Sequence, residues 1–246
     1  MGIRNHRPDL NGILAVDKPL GLTSATVCAI VRRTTRGAKV GHAGTLDPLA
    51  TGLLVLCLGR ATKAIPVLMD HDKEYLAEID LAGISETDDA EGARTPVSID
   101  TPPTIDRIRS ALDEHFRGEI LQRPPIFSAI KVGGERSYRL ARSGTATELK
   151  ARPIRIHEIE ILAYDWPMLT LRIRCSKGTY IRSIARNLGE RLGTGGMLAG
   201  LRRTRSGPFS VEQAWTVDRI RGGIEPGDLM DAGEFVTHPS NRPEET

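Results

Sequence analysis

Gly41-His42-Ala43-Gly44-Thr45-Leu46-Asp47-Pro48-Leu49-Ala50-Thr51-Gly52 holds one carboxylate, Asp47, with three glycines and a proline within six residues of it. Such a loop brings its backbone close to whatever it contacts and leaves few side chains around the acid. Leu53-Leu54-Val55-Leu56-Cys57-Leu58 follows at once, an apolar run long enough for a fully buried strand. A lone acid at the mouth of a buried strand is a place for a catalytic carboxylate. A second local reading stands beside it, because Asp followed by Pro also begins helices, with Asp as N-cap. Gly52, one turn further on, argues against a long helix there.

Outward from this loop, residues 12–16 read as a short strand leading into a Lys18-Pro19 turn. Thr23 or Ser24 caps a helix running to about Thr35. Residues 62–69 read as a short helical piece limited by Pro66. Residues 75–81 alternate as a strand does. Residues 85–96 are acidic and turn-rich, and Asp88, Asp89 and Glu91 lack the ligand spacing of a calcium loop, so a solvated loop is expected. Residues 103–116 read as an amphipathic helix with Ile105, Ile108, Leu112 and Phe116 on one face. Residues 152–164 and 168–175 read as a hairpin, with Leu169, Leu171, Ile173 and Cys175 on one face. Gly178 breaks the second strand, and residues 179–192 read as a helix with Arg182 in its first turn. The helix dipole disfavours a cation there unless an acid offsets it, and Asp47 is the candidate partner; an exposed arginine is the alternative.

The chain of 246 residues can bury a substantial core in one large domain or two small ones. No stretch approaches the roughly 20 apolar residues of a membrane span, and residues 1–10 lack the apolar segment of a secretory signal. Cys28, Cys57 and Cys175 form no metal-ligand spacing and no disulfide framework, so buried thiols and a reducing cytoplasm are expected. Residues 1–211 carry 31 Lys and Arg against 23 Asp and Glu, whereas residues 212–246 carry 3 against 8. Arg outnumbers Lys 27 to 7, and guanidinium groups suit bidentate contact with phosphate. The basic body points to a polyanion such as nucleic acid. Residues 121–152 concentrate this character around Arg123, Lys131, Arg136, Arg139, Arg142 and Lys150, as a gripping insertion or a solvated helix. Residues 222–246, rich in Gly, Pro and acid, read as a disordered tail.

As a whole, the dodecamer resembles the catalytic loop of the bacterial TruB-type tRNA pseudouridine synthases. Asp17-Lys18-Pro19-Leu20-Gly21-Leu22-Thr23-Ser24 resembles the family's N-terminal motif, and Cys175-Ser176-Lys177-Gly178-Thr179-Tyr180-Ile181-Arg182-Ser183 its late motif. Lys73-Glu74-Tyr75 and Leu201-Arg202-Arg203-Thr204-Arg205-Ser206-Gly207 are weaker echoes, and the motifs keep the family's order over about residues 10–215.

The resemblance implies an α+β pseudouridine-synthase fold, a mixed, largely antiparallel sheet flanked by helices. Residues 1–9 would be a flexible N-terminus, 10–221 the catalytic domain and 121–152 a thumb-like RNA-binding insertion. Residues 222–246 would be a tail without the C-terminal RNA-binding domain of longer relatives. The implied reaction isomerises uridine 55 in the T-loop of tRNA. Asp47 would be the catalytic acid, Arg182 its partner, and Tyr75 the aromatic that stacks on the uracil and assists proton removal. His42 would fill the space the base leaves, Tyr180 and Leu201 would line the pocket, and Lys18 and Lys63 would support the loop. Without the resemblance, Tyr75, Tyr180 and Leu201 read as core residues and His42 as a loop histidine. A cytoplasmic monomer acting on the T-arm is implied, with no membrane, guide RNA or obligate protein partner.

Pseudouridine formation breaks the N1–C1′ bond, turns the base and joins C5 to C1′, with no net redox change and no departing group. No cofactor and no metal are therefore expected. The acid either adds to C1′ or removes a proton from C2′ to give a glycal, and both routes need it ionised. An acid in a dry pocket tends to protonate, and a neighbouring guanidinium opposes that. The target base must be extruded from folded RNA. Four Phe, four Tyr and two Trp are too few for a single-strand stacking platform. Two other readings stand: a non-catalytic RNA-binding or tRNA-folding protein on the same scaffold, and a hydrolase using Asp47 with His42, which would need a base–orienter pair and a metal.

Overall fold

The structure, a computed structural model, describes residues 9–127, 131–132, 135–136 and 149–235. In chain order the strands are β1 (Gly12–Lys18), β2 (Val40–His42), β3 (Ala50–Leu58), β4 (Lys73–Asp80), β5 (Gly83–Ile84), β6 (Thr95–Pro96) and β7 (Gly118–Gln122), then β8 (Lys131–Val132), β9 (Glu135–Arg136), β10 (Arg152–Asp165), β11 (Met168–Cys175), β12 (Met197–Ser206), β13 (Phe209–Ser210) and β14 (Trp215–Thr216). The helices are α1 (Ser24–Thr34), α2 (Ile65–Met69), α3 (Ile105–His115), α4 (Ile181–Leu192) and α5 (Val217–Arg221). The chain divides into two compact units, Met1–Lys73 with Arg202–Thr246, and Glu74–Leu201. None of the described helices is long and apolar enough to cross a membrane.

In the first unit the strand order is β14-β1-β3-β12, with β2 also on β3 and β13 on β12. Strand β1 pairs antiparallel with β3 from Gly12↔Leu58 to Lys18↔Gly52. Leu53 to Leu58 are all buried, as a near-continuous apolar run requires. Thr23 caps α1 by accepting from the Thr26 amide at 3.0 Å, and Val27, Cys28 and Val31 face inward. No helix starts at Asp47-Pro48. Pairing of β3 reaches back to Gly52, which leaves residues 43–49 room only for an irregular loop that closes on a turn at Pro48-Leu49.

The expectation of a disordered tail is corrected for residues 222–235. Met230 exchanges main-chain hydrogen bonds with Ile13 at 2.8 and 3.0 Å, and the Phe235 ring lies 4.7 Å from that of Phe209. Ile224, Met230 and Phe235 are apolar anchors in this stretch, and Gly12 admits the Met230 carbonyl where a Cβ would sit 2.6 Å from it. Residues 1–8 and 236–246, expected to be loose, lie outside the described residues.

In the second unit the order is β12-β4-β11-β10-β7, and the expected hairpin of β10 and β11 pairs from Ile156↔Cys175 to Asp165↔Met168. Leu169, Leu171, Ile173 and Cys175 are fully buried, as their alternation requires. Of the expected α3 face, Ile108, Leu112 and Phe116 are buried and Ile105 is 41% exposed, because it opens the helix before the buried face begins. Helix α4 begins at Ile181, two residues later than the spacing suggests. Most of the basic segment 121–152 lies outside the described residues, although β8 and β9 within it pair antiparallel.

The solvated-loop expectation for residues 85–96 is corrected at its centre. The Leu198 amide donates to the Asp88 carbonyl and the Ala90 amide to the Leu198 carbonyl, each at 3.0 Å, so β12 pins the turn. Asp89 is thereby 1% exposed.

Candidate active site

Asp47 sits half-buried in the loop between β2 and β3. The main chain beside it is held from several sides. The Ser24 hydroxyl donates to the Leu46 carbonyl at 2.9 Å and accepts from the Leu46 amide at 2.8 Å. The Gly21 amide donates to the Pro48 carbonyl at 2.9 Å. The Lys18 ammonium, wholly buried, donates to the carbonyls of Leu22 at 2.6 Å, Pro19 at 3.0 Å and Pro48 at 3.4 Å. Arg203, 1% exposed, donates to the carbonyls of Leu53 at 2.7 Å and Gly44 at 3.2 Å. A buried ammonium is tolerated there because carbonyl dipoles replace its water.

His42 is half-buried at the end of β2. Burial lowers its pKa from the ordinary 6.5, the Arg203 charge lowers it further, and a contact with the Gly44 main chain opposes them. The imidazole is therefore biased toward its neutral form. Lys63 is exposed on the 3-10 turn Gly59–Ala64.

In the second unit, Arg182 occupies the first turn of α4 with its side chain 9% exposed. Its Nη1 lies 3.2 Å from the Asp89 Oδ2 and 3.2 Å from the Thr87 carbonyl, and its Nη2 donates to the Phe127 carbonyl at 3.0 Å. Asp89 Oδ1 accepts from the Thr87 hydroxyl at 2.6 Å and the Glu91 amide at 3.0 Å, which fixes the carboxylate. One turn along the helix, Arg186 reaches Asp88 at 2.5 Å. Two consecutive acids therefore meet two arginines at helical i,i+4 spacing. Burial nevertheless raises the Asp88 pKa, outweighing the attraction of Arg186. Asp88 also takes a φ of 61°, a left-handed conformation that Asp and Asn tolerate best among side chains with a Cβ.

Tyr180 precedes α4, and the Gln122 side chain brackets it, accepting from its amide at 2.8 Å and donating to its carbonyl at 3.0 Å. The Arg152 guanidinium lies 5.4 Å from its ring centre. Tyr75 is buried on β4, and Leu201 is half-buried on β12. The first unit thus gathers Lys18 and His42 about the loop of Asp47, and the second places Tyr180 and Arg182 at one helix start.

The sequence reading missed Ser24, Arg203 and Asp89 as contributors. For Asp89 a signal existed: a pair of adjacent acids and two arginines four residues apart. Among the described residues no group of three or more His, Cys, Asp or Glu is placed to hold a metal. Burial pushes the Cys57 thiol up to about 12, so it is inert as a nucleophile near neutral pH.

Residues 32–181 match the TruB family pseudouridylate synthase (N terminal domain), and residues 182–225 match the tRNA pseudouridylate synthase B C-terminal domain. The tRNA pseudouridine synthase B of Francisella philomiragia is 44% identical over 220 residues, which cover 89% of this chain and 72% of that protein. Its counterpart in Francisella tularensis is 42% identical over 219 residues, with the same coverage. Among solved structures, a Cbf5-Nop10-Gar1 complex superposes with a TM-score of 0.68 at 32% identity over 89% of this chain and 59% of that one. The archaeal box H/ACA sRNP Nop10-Cbf5 complex gives 0.64 at 31% identity over 87% of this chain and 57% of that one. The chain therefore spans under three-fifths of the chains in those two structures. The fold is the pseudouridine-synthase fold.

Proposed function

We propose that Asp47 performs the chemistry of this chain, which belongs to the TruB family of pseudouridylate synthases and isomerises uridine in tRNA. The target is uridine 55 of the T-loop. The observation that carries this reading is the loop itself: a half-buried carboxylate whose flanking main chain is fixed by Ser24, Lys18, Gly21 and Arg203. A catalytic group held in one geometry lowers the barrier by sparing the entropy of orientation.

The ionised Asp47 attacks C1′ or takes the C2′ proton. The N1–C1′ bond breaks, the base turns, and C5 bonds to C1′ as the C5 proton leaves. Arg182 is the counter-cation that keeps Asp47 ionised, and Asp89 holds that guanidinium in place. Tyr75 stacks on the uracil and assists removal of the C5 proton. His42, biased toward the neutral form, occupies the space the base vacates. Tyr180 and Leu201 line the pocket, and Lys18 and Lys63 support it. Residues 10–221 are the catalytic domain, and 121–152 grip the T-arm through phosphates and loop shape. The chain acts as a cytoplasmic monomer without guide RNA, cofactor or protein partner.

A T-arm transcript incubated with the purified chain alone tests the reading. Pseudouridine forms at position 55, and a transcript with cytidine at that position yields none. Absence of product from the uridine transcript, with RNA bound, would favour a non-catalytic RNA-binding protein instead.

A further inference from the structure

We propose that Arg203 is a positioning residue for the reaction, a buried guanidinium that clamps both flanks of the Asp47 loop through main-chain carbonyls. The proposal rests on Asp47 being the acid and adds a residue to it.

Arg203 lies on β12 and is the largest of the fully buried side chains. Its two acceptors, Gly44 and Leu53, stand three residues before Asp47 and six residues after it. One planar group thus spans the loop that carries the acid, with its donors in a fixed relative geometry. Gly52 lets the main chain of Arg203 approach the loop. A Cβ at Gly52 would stand 2.3 Å from the Arg203 carbonyl oxygen and 2.9 Å from its amide nitrogen, and one at Gly44 would stand 3.4 Å from its Nη1. Both glycines have positive φ, 93° and 117°, a backbone conformation that residues with a Cβ rarely adopt.

The neighbouring residue behaves differently. Arg202, on the other face of the strand, makes a two-pronged ion pair with Asp17 at 2.8 and 3.0 Å and remains partly exposed. Arg203 has no carboxylate partner among the described residues. A guanidinium withdrawn from water without a counter-ion is costly, and carbonyls offset that cost only in part. Stability alone would be served by an apolar residue here. The position makes sense as a rigid brace for the loop, and its charge also depresses the His42 pKa.

The experiment measures kcat, KM, T-arm affinity and thermal unfolding for Arg203→Met and Arg203→Lys. The expected result for R203M is a kcat lowered about 100-fold, the scale on which a misplaced catalytic group acts, with KM and RNA affinity unchanged. R203K, which keeps the charge and can reach one carbonyl, recovers part of the loss and leaves the His42 titration depressed, as read by NMR. Should R203M fail to fold, R203K carries the test with the same split between kcat and KM. Wild-type turnover in a folded variant, equal loss of kcat and RNA affinity, or failure of both variants to fold would overturn the proposal. An active Asp47→Asn would instead sink the reading of Asp47, whatever the Arg203 variants do.

Discussion

Around Asp47 the first unit holds the main chain on both sides of the acid: Ser24 holds Leu46, Lys18 holds Pro48, and Arg203 holds Gly44 and Leu53. Around Arg182 the second unit grips the side chain itself, with Asp89, Thr87 and Phe127 about the guanidinium. The contrast follows from charge and reach. A short aspartyl side chain is aimed by fixing the peptide units beside it. A long guanidinium keeps rotamer freedom however rigid its backbone is, so its tip must be held.

The comparison breaks most visibly at the buried ion pair. Asp89→Asn removes a carboxylate from the buried Arg182 and should cost about 3 kcal/mol of stability, with a large fall in kcat. Chemical denaturation and single-turnover assays on a T-arm transcript measure both, and wild-type values would show that the side-chain grip is idle. Ser24→Ala leaves the buried Leu46 amide and carbonyl without their clasp and should cost about 1–3 kcal/mol, with kcat falling more than RNA affinity. Asp88→Asn should do less. Asn tolerates the positive φ, the Asp88–Arg186 pair is partly exposed, and burial already disfavours the Asp88 charge, so about 1 kcal/mol or less is expected by denaturation.

The smallest effect is one of pH. His42 has a folded pKa below its ordinary 6.5, so the unfolded chain takes up that proton first. Stability should be flat above pH 6.5 on this account, decline as pH falls toward the folded value, and level off below it. A His42→Gln variant should lose that decline in a pH series of thermal unfolding; an unaltered profile would place the effect elsewhere.

The two regions were also unequally legible in the sequence. The Asp47 loop announces itself, because glycine and proline at fixed offsets state what the backbone must do. Strand β3, the hairpin of β10 and β11, and α1 were readable from period and capping. What holds the loop was not readable, since Ser24 and Arg203 act through carbonyls that every residue possesses, from positions distant in sequence. The acidic turn was misread for a related reason. Its polarity suggested solvent, yet main-chain bonding to Leu198 buries it, and only tertiary contact reveals that Asp88 and Asp89 face arginines. In residues 222–235, composition dominated the reading and three apolar anchors were overlooked.

The most direct test of the account is single-turnover conversion of a T-arm transcript by Asp47→Asn beside the wild-type chain, with RNA binding measured in parallel. The account predicts no detectable pseudouridine at position 55 from the variant and RNA affinity equal to wild type. Product formed by the variant at a rate near that of the wild type would contradict it.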